Sequence, residues 1–501
     1  MSPERYSARD LIREVLDEGS WQSWDSEPLA VAEPGSAYAE DLARAREKSG
    51  EDEAVLTGEG TIRGHRVAVV LSEFSFLAGS VGAAVAERIV LAFERAGREK
   101  LPMFAGTASG GTRMQEGTPA FVTMVKITAA VAAYKRLNLP YVTYLRHPTT
   151  GGVFASWGST GHFAVGQPGA TIGFLGARVY EALYGEPFPE GVQTAENMFE
   201  HGLLDAVLPP RALPEIAGRL LDILAPPDPR AGLEQKPSAE EVSLEAAPPA
   251  WDSITRSRRP ERPGIRTLLR LGAKQLLPLN GTGAGELDQS MMLALARFDG
   301  LPCVVMGHDR RGESAEKPLG PSGLRVARRG MRLAKELNLP LISVIDTAGA
   351  ALSKEAEEGG MAGEIARCLN DLVELDVPTL CVLLGQGTGG GALALLPADT
   401  VISAEHSWLS PLPPEGASAI LHRTPDRASE VAGQQLVRSV DLREVGVVDR
   451  IVPEHPDAAD EPEEFCRRMA SAISEEMWQL VHQEHTARRW ARRERYRNLG
   501  L

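Results

Sequence analysis

The sequence predicts an α/β protein built from two tandem copies of one domain, and three observations predict it. Between 226 and 263, Pro, Ala, Glu and Arg dominate and hydrophobic periodicity vanishes, which marks a linker between halves of similar length. Pro102, Gly111, Pro140, Thr150, Gly151 and Gly152 recur as Pro340, Gly349, Pro378, Thr388, Gly389 and Gly390, each pair 238 positions apart with no gap. Six landmarks in one register point to internal duplication. Each half also alternates short apolar strands with helical stretches, the pattern of parallel strands joined by right-handed crossovers. The domains are therefore expected at 1–225 and 264–501, with 226–263 between them.

Each copy is read in the same order. A strand (Val67 to Leu71; Cys303 to Met306) leads to a helix ending near Ala96 or Leu337. A second strand (Met103 to Ala105; Leu341 to Ile345) enters a glycine turn. The next helix is clearest from Pro119 to Leu137, with Pro119 placed as a first helical residue. A third strand (Tyr141 to Leu145; Thr379 to Leu384) enters a second glycine turn. Further on, GLLDAVLP (202–209) matches GVVDRIVP (446–453) after a small insertion. Ser7 to Leu16 reads as a short amphipathic helix, Lys48 to Gly60 as a loop, and Glu463 to Arg497 as one long helix with a basic end. That basic end is read as a solvated face or a dock for an acidic partner.

Composition excludes several classes. A net charge of −15 and a pI near 5.3 argue against a nucleic-acid binder. Cys303, Cys368, Cys381 and Cys466 are scattered and form no C-x-x-C pair, which fits a reducing cytoplasm and speaks against a zinc ribbon or disulfide scaffold. No metal is expected. No long apolar run suggests a membrane span, and the start of the chain lacks the apolar core of a signal peptide.

The chemistry lies in four turns: Ser109-Gly110-Gly111-Thr112, Thr149-Thr150-Gly151-Gly152, Asp346-Thr347-Ala348-Gly349, and Gly387-Thr388-Gly389-Gly390-Gly391-Ala392. Each follows a strand. Paired glycines there can aim backbone N–H groups at a developing oxyanion, or can simply allow a tight turn. Gly387-x-Gly389-x-x-Ala392 also imitates a dinucleotide fingerprint, but Pro397 would cut the helix that must follow. No G-x-S-x-G elbow, Walker A sequence or H-E-x-x-H motif occurs. His147 reads as a loop or interface residue rather than a general base. Oxyanion sites without an evident base suit enolate chemistry in which the reagent brings the base.

At these residues the sequence resembles a known family. LSEFSFLAGSVG (71–82), SGGTRMQEG (109–117), TTGGVFAS (149–156) and IGFLGARV (172–179) are similar to the β subunit of the bacterial acetyl-CoA carboxylase carboxyltransferase. IDTAGA (345–350), QGTGGGAL (386–393) and PEGASAIL (414–421) are similar to its α subunit. The resemblance implies two crotonase-like ββα-spiral domains, with acyl-CoA on the N-terminal copy and carboxybiotin on the C-terminal one. It implies that Gly110 and Gly111 cover the thioester oxygen, and that Gly390 and Gly391, with the Ala392 amide, cover biotin. Ser109, Thr112, Arg113, Gly151, Gly152 and Gly349 would complete the substrate contacts. The biotin ureido group, having released CO₂, would act as the base. A biotin carboxyl carrier protein, a biotin carboxylase and a homo-oligomer of this chain are the implied partners. The acceptor would be a short acyl-CoA, acetyl-CoA first and propionyl-CoA next. A decarboxylase acting on a malonyl thioester and a non-catalytic carrier-binding scaffold are the rival readings. Three features depart from the family pattern: no cysteine-rich ribbon precedes the homology, Ala348 stands for a proline, and Gln386 stands for a glutamate.

Overall fold

The computed structural model describes residues 5–227, 247–314 and 317–499, in two units. In the first, Ser7 caps helix α1 (Ala8–Val15) by accepting from the Asp10 N–H at 3.1 Å, as the amphipathic pattern from Ser7 implies. Strand β1 (Val55–Ile62) pairs antiparallel with β2 (His65–Ser72). Helix α2 (Ala83–Glu99) leads to β3 (Met103–Ser109), helix α3 (Gly117–Lys135) to β4 (Tyr141–Thr150), and then comes β5 (Phe163–Gly166). Strands β2 to β5 run parallel in sequence order. The α2 side of the sheet carries a core of Val85, Ile89, Phe93, Met103 and Tyr134.

The second unit repeats the plan. Helix α4 (Ala250–Ser257) precedes the hairpin of β6 (Met291–Phe298) and β7 (Leu301–His308). Helix α5 (Pro321–Leu337), strand β8 (Leu341–Thr347), helix α6 (Met361–Val373), strand β9 (Thr379–Thr388) and strand β10 (Thr400–Ala404) follow. Strands β7 to β10 are again parallel in order. Among the described residues each unit holds an eight-stranded sheet with the same strand sequence, including a short strand beside β4 or β9 off the main path. The duplication read from the landmarks is thus a duplication of topology.

Four local expectations need correction. The stretch read as a loop from Lys48 to Gly60 contains most of β1. Its glycines looked like loop residues, yet a Cβ at Gly58 would lie 2.5 Å from the Trp21 ring and one at Gly60 2.6 Å from Leu16 Cδ1. They make room for side chains crossing the sheet. Pro119 is the third residue of α3, not the first, because a 3-10 turn at Met114–Glu116 feeds into Gly117. Within 226–263, residues 228–246 lie outside the described residues, while α4 buries Ala250 and Ile254 beside Trp408 in the second unit.

The fourth correction concerns the basic end. The expected single helix is two, α7 (Pro462–His482) and α8 (His485–Arg497), broken at an extended Gln483 and restarted by Glu484, whose carboxylate accepts from the Thr486 and Ala487 N–H groups. Two of its arginines, Arg488 and Arg492, turn inward, while Arg493 and Arg497 stay exposed. Arg492 is 1% exposed and grips Asp399 through Nε at 2.7 Å and Nη2 at 2.8 Å. It also donates to the carbonyls of Leu372, Leu375 and Val377. Arg488 donates to the Asp376 carbonyl and Arg495 to the Asp449 carboxylate. The run that looked like a solvated face staples the end of α6 to the sheet. Arg492→Ala, by removing the fork on a buried carboxylate that keeps only Thr379 and Arg488, and by freeing three carbonyls, is expected to cost about 3 kcal/mol of unfolding free energy. Denaturant unfolding of the variant, with a loss that changes little between low and high salt, is the check.

Candidate functional site

In each unit two adjacent parallel strands end in glycine turns that meet. Strands β3 and β4 pair in register from Met103 with Tyr141 to Thr107 with Leu145, then slip so that Ser109 faces Thr149. The slip recurs between Ile345 and Thr347 of β8. It brings the backbone after Ser109 against the backbone after Thr150. Gly111 has φ +112°, and a Cβ there would stand 3.7 Å from both Gly151 Cα and the Gly152 nitrogen. Gly151 has φ +64°, with its missing Cβ 3.4 Å from Gly111 Cα. At matching places Gly349 has φ +132° and Gly389 +64°. These four glycines supply conformations that other residues adopt only under strain.

The N–H inventory separates the turns. The Gly110 N–H donates to the Ala78 carbonyl at 2.9 Å, and the Gly111 N–H to Ser109 Oγ at 3.0 Å. Both N–H groups that the resemblance assigns to the thioester oxygen are therefore already bonded, one to another loop and one within the turn. The Gly151 N–H is held by the Phe174 carbonyl at 3.0 Å. Gly152 is the second residue of a short helix, Gly151–Val153, which follows directly on β4. Gly390 occupies the same position in the short helix Gly389–Leu393. A Cβ on Gly390 would lie 2.7 Å from Ile365 Cδ1, and one on Gly391 2.8 Å from Leu319 Cδ2, so a side chain at either place would have to displace the tip of a neighbour. Ala392 is fully buried behind them.

Other candidate residues brace the first turn. Ser109 is buried and Thr150 Oγ1 donates to its carbonyl at 3.2 Å. Thr112 bridges to Val81 across the turn. Arg113 does not face a substrate. Its side chain is 0% exposed and closes on Glu53 with bonds of 2.6 and 2.7 Å, which raises the guanidinium pKa further despite burial. It also donates to the Ser80 carbonyl at 3.0 Å, so it holds the turn from beneath. His147 accepts from the Thr171 N–H through Nδ1 at 3.1 Å, and burial lowers its pKa. That lone pair is already in use, and His147 lies within β4 rather than in the expected loop.

Sequence reasoning missed two groups. A cavity of about 630 Å³ in the first unit is lined by Arg5, Arg44 and Lys48, by the carboxylates of Asp10, Asp41 and Glu73, and by Phe74, Leu77 and Ala78. It adjoins the first turn, since Ala78 is the residue that accepts from Gly110. Its basic residues come from two segments: Arg44 and Lys48 lie one turn apart on the helix Ala37–Ser49, and Arg5 comes from the start of the chain. In the second unit Asp346 is buried, with Oδ1 accepting from the Gln386 N–H at 3.1 Å and Oδ2 3.5 Å from Arg310. Burial raises its pKa against the pull of Arg310. Gln386, where the family carries a glutamate, receives a bond from Arg258 Nε at 3.3 Å, and the same guanidinium forks onto Glu415. Among the described residues no three His, Cys, Asp or Glu side chains converge as a metal site, and no helix is long and apolar enough to cross a membrane.

Gly110 needs no positive φ, and a Cβ there would find its nearest neighbour, the Ala78 carbonyl, at 3.6 Å. Its counterpart is Ala348, an alanine already. Gly110→Ala should therefore melt no lower than wild type. Gly111→Val should instead strain the turn and fill the space before the Gly152 N–H, with a loss of about 10²–10³-fold in any reaction using that donor. Soluble, folded Gly111→Val with near-normal turnover would refute this reading of the site.

Comparison with known proteins accords with this geometry. Residues 8–209 match the carboxyl transferase domain family, and residues 231–500 match the acetyl co-enzyme A carboxylase carboxyltransferase-like family. A probable biotin-dependent acyl-coenzyme A carboxylase beta3 subunit of Mycobacterium tuberculosis is 55% identical over 99% of both chains. An acetyl-coenzyme A carboxylase carboxyl transferase subunits beta/alpha protein of Salinispora arenicola is 35% identical over 99% of this chain and 91% of its own. Among solved structures, transcarboxylase 12S with methylmalonyl-coenzyme A bound shares the fold, with a TM-score of 0.74 and 22% identity over 96% of this chain and 90% of that one. A single-chain long-chain acyl-CoA carboxylase shares it at a TM-score of 0.70 and 17% identity, over 94% of this chain and 46% of that one. The two units are thus tandem crotonase-like domains, and the chain belongs to the carboxyltransferase family of the biotin-dependent acyl-coenzyme A carboxylases.

Proposed function

We propose that this chain is the enzyme component that moves a carboxyl group from carboxybiotin, carried on a separate protein, to the α-carbon of a short acyl-CoA. The observation that carries the reading is the pair of glycine turns repeated in both units, the second of each leading into a short helix that starts with glycines. Enolate formation at a thioester places charge on one oxygen, and carboxyl exchange at a ureido group places it on another. Two such turns meet that need. In the N-terminal unit, Gly111 keeps the approach to the Gly152 N–H clear, while Arg5, Arg44 and Lys48 suit the phosphates of CoA. In the C-terminal unit, Gly390 and Gly391 would hold the biotin ring, with Gly349 and the Ala392 amide beside them. Biotin supplies the carboxyl group and the base when bound, so no protein side chain need abstract the proton.

Acetyl-CoA is the proposed acceptor, yielding malonyl-CoA for fatty acid synthesis, with propionyl-CoA second. The proposed setting is the cytoplasm, in keeping with four cysteines that are all buried and unpaired. Exposed apolar side chains support a homo-oligomer: Met114, Phe121, Val122 and Val125 in the N-terminal unit, and Leu352, Ile420 and Leu421 in the C-terminal unit.

No Met-Lys-Met stretch that would accept biotin occurs in the sequence. A streptavidin blot of the purified chain is therefore expected to be blank. Label from bicarbonate should enter acetyl-CoA only when ATP, a biotin carrier and a biotin carboxylase are added. Comparison of kcat/KM for acetyl-CoA and propionyl-CoA then settles the acceptor. Biotin covalently bound to this chain, or carboxylation without a carrier, would sink the scheme.

A further inference from the structure

The first turns of the two units share a register but differ in what ties them. In the N-terminal unit the Gly110 N–H is held by the Ala78 carbonyl, which carries no charge at any pH. In the C-terminal unit an ionisable side chain takes part. Glu313, in the loop after β7, accepts from the Thr347 hydroxyl at 3.0 Å, and the Ala348 N–H favours its charged form. Thr347 Oγ1 accepts in turn from the Gly349 N–H at 3.0 Å. Carboxylate, hydroxyl and glycine amide thus form one chain. It ends on the turn packed against Gly391, whose absent Cβ would lie 3.4 Å from the Ala350 nitrogen.

We propose that Glu313 is a positioning residue for the C-terminal turn, and that its charge sets how strongly this half of the site holds an anionic oxygen. The proposal rests on assigning biotin to that turn. Asp346 faces Glu313 and disfavours its charge, while Arg310, 3.5 Å from Asp346 Oδ2, favours it. The Asp309 carbonyl accepts the Glu313 N–H at 3.0 Å, and the Asp309 carboxylate is tied to Arg266. His308 at the end of β7 is buried and neutral, its pKa pushed down to about 3. Burial, with Asp346 adding to it, pushes the Glu313 carboxyl up to about 7. An ionised carboxylate tied into a donor turn opposes negative charge gathering there, and a neutral one does not. The N-terminal tie has no such dependence.

Glu313→Gln keeps an oxygen acceptor for Thr347 but cannot ionise. One measurement needs no activity. A carboxyl raised from 4.5 to about 7 in the folded state binds its proton more tightly there than in the unfolded chain. Wild-type stability relative to Glu313→Gln should therefore fall as pH rises from about 4.5 to about 7, and stay level above that. Melting temperatures of both proteins across this range read it. The second measurement is release of labelled CO₂ from added carboxybiotin. In wild type it should fall several-fold between about pH 6 and about pH 8, and in Glu313→Gln it should stay flat, with the same KM for acyl-CoA. Parallel melting profiles, or one pH–rate profile for both proteins, overturns the proposal. Divergent melting profiles in a wild type that releases no CO₂ would instead overturn the assignment of biotin to this turn, leaving the tie between Glu313 and Thr347 standing.

Discussion

The constraint on which the rest depends is the contact of two backbones without side chains between them. Gly111 and Gly151 approach so closely that a Cβ on either would touch the other turn, and both hold positive φ. Such contact is reached only if neighbouring parallel strands end together, and β3 and β4 do so through the slip between Thr107 and Ser109. Buried groups then fix the arrangement. Thr149 Oγ1 donates to the Thr107 carbonyl at 3.0 Å, the Val81 N–H bonds the Gly111 carbonyl at 2.9 Å, and the Arg113 N–H bonds the Val81 carbonyl at 2.9 Å. Below them, the Arg113–Glu53 pair contributes rigidity more than stability, because two charges withdrawn from water gain little net energy from meeting.

The fold was legible because duplication preserves what backbone geometry cannot do without. Gly111 and Gly349, Gly151 and Gly389 kept register since each needs positive φ. The prolines preceding β3, β4, β8 and β9 also kept register, and those starting points set where the turns fall. The apolar strands were legible too, being continuous and buried on both faces as parallel strands are. The glycines of β1 misled because their reason is tertiary: Trp21 and Leu16 lie across that strand, and nothing local announces them. The basic terminal run misled for a related reason. Charge in sequence says nothing about direction, and Asp399, the anchor of Arg492, lies in a distant loop.

The site was legible as a set of positions and less so as a set of roles. Spacing located all four turns. It could not say which N–H groups are spent, because that depends on Ala78 and Phe174, carbonyls contributed by other loops. Nor could it show that Arg113 points inward, since its partner Glu53 lies far back in the chain. Of the cavity's basic residues, Arg44 and Lys48 lie one helical turn apart in the sequence, and folding adds Arg5 to them.

Ala348 shows why such a site can diverge without losing its shape. The position matches Gly110, which has ordinary φ and an open side, so a methyl group costs little. The next residue, Gly349, has φ +132° and leaves no comparable freedom. Within one turn, then, one place tolerates substitution and its neighbour does not. The tolerant place decides what reaches the turn from outside: the Ala78 carbonyl in one unit, with Glu313 entering in the other. Two copies of one backbone device can in this way keep a common geometry and hold different charge environments.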